Sequence, residues 1–158
     1  MKKLMLAMAV VAFSAAHVNA QDSKSTTLSV AVNAGIPTST GYSFVLGGDL
    51  QADFAVAAGT KITASAGYEN YSWKGGGSSG FIPLLAGAKF NLGSDKLYGH
   101  AQLGYGFSTV SGGSGAFGYA PSIGYYFSSN LDASIKYLAF SRNGFTLGSV
   151  GIRLAYSF

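Results

Sequence analysis

The chain of 158 residues contains no cysteine, so disulfides, thiolate catalysis and cysteine-based zinc sites are excluded together. Charge is scarce as well: Asp, Glu, Lys and Arg make up 10% of the residues, against about 25% in soluble globular domains. Part of the formal net charge of +4 comes from Lys2 and Lys3 near the start. The other basic residues, Lys24, Lys61, Lys74, Lys89, Lys96, Lys136, Arg142 and Arg153, stand singly. A nucleic-acid partner needs a clustered basic face, and none is expected here. Beyond Phe13 no apolar run approaches the roughly twenty residues of a transmembrane helix. After residue 20 the single histidine is His100; one imidazole cannot build a His-based metal site, and no metal or cofactor is expected.

What the chain does have is glycine, at 23 residues, aromatic side chains, at 14%, and a distinctive start. "MKKLMLAMAVVAFSAAHVNA" joins a basic beginning to an apolar stretch from Leu4 to Phe13 and small residues at Ala16 and Ala20. That is the pattern of a secretory signal peptide, with cleavage expected after Ala20. Residues 21–158 then form one domain. An exported chain that is poor in charge and lacks long apolar helices fits one membrane architecture, the closed β-barrel.

Two-faced strands of about ten residues are the signature to look for. "TLSVAVNAGI" sets Leu28, Val30, Val32, Ala34 and Ile36 against Thr27, Ser29, Asn33 and Gly35. The same alternation recurs seven more times. It places Tyr42, Phe44, Leu46, Leu50 and Phe54 on the oily side of the second segment, opposite Asp49, Gln51 and Asp53. In the third, Ile62, Ala64, Ala66 and Tyr68 oppose Lys61, Thr63, Ser65 and Glu69. "FIPLLAGAKFNL" puts Lys89 and Leu85 inside and expects Pro83 near a strand end, where its missing donor is tolerated. "LYGHAQLGYGF" puts Tyr98, His100 and Gln102 inside, and "LDASIKYLAF" does the same for Asp132, Ser134 and Lys136. Eight strands result, an even number, since ten would leave too few residues for connections. Short turns are expected near 56–59, 93–96 and 128–130. Longer flexible loops are expected near Pro37, Lys74, Ser111 and Arg142, above all in "SWKGGGSSG" and "SGGSG".

Folding at those turns sets Asp53 opposite Lys61, Lys89 opposite His100, Tyr126 opposite Asp132, and Asp132 opposite Arg153. Each pair is polar with polar, as a consistent register requires. The oily parity carries essentially no charge and is rich in rings, including Tyr42, Phe44, Tyr68, Phe90, Phe107, Phe117, Tyr119, Tyr125, Phe127, Tyr156 and Phe158. Such rings near strand ends suit the two interfaces of a bilayer. The polar parity is mostly small, with a few charges of both signs, and suits a narrow lumen rather than a solvated exterior. The fold expected is therefore an all-β, eight-stranded, antiparallel up-and-down transmembrane barrel with its oily face on lipid.

The chain ends "GIRLAYSF", with Ile152, Leu154, Tyr156 and Phe158 on one parity and an aromatic last residue. This segment is similar to the C-terminal assembly signal of outer-membrane barrels. The region after Ala20 resembles the small eight-stranded outer membrane β-barrel family, which includes the OmpX-like proteins and the transmembrane domain of OmpA. The resemblance implies recognition of the last strand, at those four positions, by the barrel assembly machinery. It also implies outer-membrane lipids as surroundings and both termini in the periplasm. A single copy is expected, without the peptidoglycan-binding domain of full-length OmpA-type proteins. It is a likeness of architecture, without a diagnostic interior motif, and it names no partner for the loops.

The inward polar residues are the candidate site: Asp49, Asp53, Lys61, Glu69, Lys89, His100, Tyr126, Asp132, Lys136 and Arg153. Paired carboxylates can hydrolyse glycosides, but expected cationic neighbours and the high cost of burying unpaired charge favour internal ion pairs. His100 could serve a Ser/His lipid deacylase on a barrel's outer surface, yet its parity points it inward beside Lys89. The glycine-rich stretches lack the GxxxxGK[ST] spacing of a phosphate loop. Tyr71 and Trp73, beside the second loop, are expected as interfacial anchors. The functional expectation is a non-enzymatic barrel with a plugged polar lumen and a structural or surface-interaction role. A narrow porin and a lipid-modifying enzyme are the alternatives.

Overall fold

Each strand pairs antiparallel with its successor and the last pairs with the first, which closes the chain into an eight-stranded barrel. The computed structural model describes residues 26–110 and 112–158; the expected signal peptide, residues 1–20, lies outside them. The strands are β1 (Thr26–Pro37), β2 (Tyr42–Ala57), β3 (Thr60–Trp73), β4 (Ser78–Asn91), β5 (Leu97–Ser108), β6 (Ala116–Tyr126), β7 (Leu131–Arg142) and β8 (Phe145–Ser157). The closing seam runs from Ser29 opposite Ser157 to Pro37 opposite Ser149. Closure pairs every strand on both sides, so no edge is left to satisfy in an apolar medium.

The barrel is oily outside, and the charged side chains of its strands turn inward. On β1 Val32 is 63% exposed while its neighbour Asn33 is 8%; on β8 Ile152 is 61% exposed and Arg153 5%. The outward rings collect toward the two ends. Tyr125 with Phe127 and Tyr156 with Phe158, each pair 5.4 Å between centroids, lie at the end where β1 begins and β8 ends, the terminal end of the described strands. At the other, Tyr105 packs on Phe107, and Tyr119 meets both Phe117 and Tyr137.

The connections are tighter than the sequence suggests. Those at the end away from the termini span 38–41, 74–77, 109–115 and 143–144, and those at the other end span 58–59, 92–96 and 127–130. Most of "SWKGGGSSG" is strand: only residues 74–77 turn, and Ser78 already begins β4. The expected contrast between long loops and short turns is therefore nearly absent, because the residues went into longer strands. The 143–144 turn is legible locally, since Asn143 and Gly144 both take positive φ, 48° and 81°, as a two-residue type I′ hairpin demands.

Four further expectations change. Lys61 stands opposite Ala55, and Asp53 faces Thr63, because the β2–β3 turn is only residues 58–59. Asp132 faces Ala155, while Arg153 faces Ser134. Pro83 lies inside β4, not near its end: the β3–β4 ladder stops after Ala66–Leu84 and resumes in the same register at Glu69–Phe81. On its other side Pro83 pairs normally opposite Gly106, so the missing donor faces β3. Tyr42 belongs inside, since a bulge between Tyr42 and Phe44 reverses its parity. The expected pairings Lys89–His100 and Tyr126–Asp132 are both present.

Candidate functional site

An eight-stranded barrel is just wide enough for side chains to fill it, so its lumen is the one place where the polar residues can meet. All ten candidate residues point there, at two levels. Nearer the termini, Lys89 Nζ on β4 reaches over β3 to Asp53 Oδ2 on β2 at 2.8 Å, and Gln51 Nε2 donates to Asp53 Oδ1 at 2.6 Å. The same ammonium lies 4.8 Å from the centroid of Tyr98 and 5.7 Å from that of Tyr126. Tyr98 donates its hydroxyl hydrogen to Asp132. His100 Nε2 and Thr63 Oγ1 are 2.8 Å apart.

At mid-height Arg153 organises the acids. Its Nη2 donates to Asp49 Oδ1 at 2.8 Å and its Nε to Asp49 Oδ2 at 3.1 Å, a two-pronged contact that spans β1. Its Nη1 lies 3.9 Å from Asp132 Oδ1. Asn33 Nδ2 donates to Asp49 Oδ2 at 3.0 Å and to Glu69 Oε1 at 2.8 Å. Lys136 Nζ stands 3.8 Å from each of those two oxygens. Glu69 has room because its cross-strand partner is Gly47, where a Cβ would fall on the carboxylate. Four buried carboxylates thus face three cations in direct ion pairs. The fourth cation, Lys61, has no carboxylate within 4.0 Å among the described residues; it sits partly exposed at the mouth beside Tyr126. A recess of about 260 Å³ opens there, lined by Thr60, Lys61, Asn91, Asp95 and Tyr126 among others.

The half of the lumen away from the termini is filled differently, and sequence reasoning missed it. Val45, Tyr71, Leu85, Ala116, Ala120, Leu138, Phe140 and Leu147 form a buried apolar cluster, against which Tyr42 and Phe81 pack. Phe81 and Phe140 stack at 4.7 Å, while Tyr71 meets Tyr42, Phe81 and Phe140 edge-on at 5.9–6.4 Å. Tyr71, expected as an interfacial anchor, is fully buried, and its hydroxyl lies 3.2 Å from Ser149 Oγ. Trp73, two residues on, is 44% exposed. The signal was available. Extending the inward parity past Glu69 reaches Tyr71, and past Lys136 it reaches Leu138 and Phe140.

Chemically, the arrangement binds charge to charge. Every candidate carboxylate is buried and held by a cation, an amide or a phenol. His100 is 6% exposed and turned into the barrel toward Thr63, away from the apolar outer face.

No family model and no curated protein sequence matches the chain. Solved structures do match in shape. The N-terminal β-barrel domain of Pseudomonas aeruginosa OprF aligns with TM-score 0.65 at 12% identity, over 86% of this chain and 100% of that one. The outer membrane enzyme PagL aligns with TM-score 0.64 at 13% identity, over 81% and 98%. Ail, the attachment invasion locus protein of Yersinia pestis, aligns with TM-score 0.63 at 14% identity, over 87% and 100%. At such identities the likeness is one of fold: this chain is an eight-stranded antiparallel barrel of the shape these proteins share.

Proposed function

We propose that the protein is an integral outer-membrane barrel that acts as a sealed structural element of the envelope and neither conducts nor catalyses. The observation that carries this reading is the filled lumen, with an aromatic and aliphatic plug in one half and a buried ion network in the other. The apolar exterior supports lipid as its surroundings, and the signal-like leader supports export. So does the outer-membrane setting of PagL and the shared fold. The termini lie on the periplasmic side in this reading, and the strand ending in Phe158 is what the assembly machinery engages. Of the two roles expected from sequence, envelope integrity is favoured over surface interaction, because connections of two to seven residues give an adhesive surface little reach.

The test is current measurement on the purified protein in planar lipid bilayers. No discrete steps are expected from the wild type. Steps that change on Arg153→Ala would make the protein a narrow porin. Lipid turnover abolished by His100→Ala would make it an enzyme.

A further inference from the structure

Asn33 has one atom too many for its surroundings. Its Nδ2 is committed to the carboxylates of Asp49 and Glu69, which fixes the amide so that Oδ1 turns away from them. That oxygen is buried and has no hydrogen-bond partner, on a residue only 8% exposed. A buried amide oxygen left unpaired costs about 1–3 kcal/mol. Lys136 has the complementary problem: its ammonium carries three donors, and its two carboxylate neighbours stand at 3.8 Å, beyond the ordinary 2.7–3.2 Å range of an N–H···O bond. Between them lies a cavity of about 20 Å³ lined by Asn33, Glu69, Lys136 and Ser149, with Gly35 and Gly151 of the closing seam at its wall. One water needs roughly 10–15 Å³ and two to four polar partners.

We propose that this cavity is a binding site for a single ordered water, which accepts from Lys136 Nζ and donates to Asn33 Oδ1. Its second hydrogen is offered to Ser149 Oγ or to the Glu69 carboxylate. The water gives Asn33 Oδ1 a donor and the Lys136 ammonium an acceptor, and it joins β1 to β7 and, through its second hydrogen, to β8 or β3 beside the seam where the barrel closes. A monovalent metal ion is the weaker occupant, since the ammonium lines the same space.

The experiment is water-to-side-chain cross-relaxation by NMR on the intact protein in lipid nanodiscs, read at the Asn33 side-chain amide. A cross-peak from a long-lived water is expected in the wild type and lost in Lys136→Met. Its absence from a resolved wild-type Asn33 resonance overturns the proposal. So does a shift of that resonance when sodium in the buffer is replaced by choline, which would place an ion in the site. Because the wild-type measurement decides by itself, a Lys136→Met protein that fails to fold leaves the test intact.

Discussion

Arg153 and Lys61 are both lumen-facing cations, yet they do unequal work. Arg153 holds Asp49 with two hydrogen bonds and approaches Asp132 as well; removing it leaves two buried carboxylates short of a partner. Arg153→Ala is expected to cost about 3–5 kcal/mol, measured by urea unfolding of protein folded into lipid vesicles. Lys61→Ala, at the hydrated mouth, should stay within about 0.5 kcal/mol in the same assay. Phe140→Ala removes a ring packed on Phe81 and Tyr71 and should lose about 3–5 kcal/mol. At this scale parity alone told which charges face inward. It could not tell which meet, because register arguments see only the next strand. In a closed barrel a side chain reaches past its neighbour, as Lys89 does over β3 and Arg153 over β1.

Among the elements, strand number and order were readable from alternation and turn residues, and strand length was not. Glycine and serine read as loop in "SWKGGGSSG", but pairing with Ser72 and Tyr71 of β3 holds Ser78 and Ser79 in β4. No residue marks the bulge that turns Tyr42 inward, since nothing in "YSFVL" breaks the local pattern. Pro83 makes the sharpest element-level prediction. With the β4–β5 ladder intact and the β3–β4 ladder interrupted beside it, the position opposite Gly67 lacks one donor. Pro83→Ala supplies that N–H, and a new hydrogen bond is worth about 0.5–1.5 kcal/mol. The substitution should therefore be neutral or stabilising in vesicle unfolding. A marked loss would mean that the ring's fixed φ, rather than the gap, is what β4 requires.

For the whole molecule, the closed barrel and its inside-out polarity followed from composition and period, because few architectures satisfy every backbone group while showing an oily face. The two-tier filling was not anticipated, since the inward list, Leu85 apart, was drawn mainly from polar residues and stopped where they stopped. That filling sets the last prediction. In the fraction that folds into vesicles, the double variant Tyr71→Ala with Phe140→Ala should raise permeability to small ions above the wild-type background. If the leak stays at background, the seal resides in the ion network alone. The polar half then deserves the same treatment through Lys89 and Asp53.

The brevity of the connections has an outcome of its own. In the outer-membrane setting proposed above, little of the described chain would rise beyond the headgroup layer, so proteases added to intact cells would find few susceptible bonds. An antibody raised against the folded form would have to recognise a rim of hairpin tips, of which the connection 109–115 is the longest.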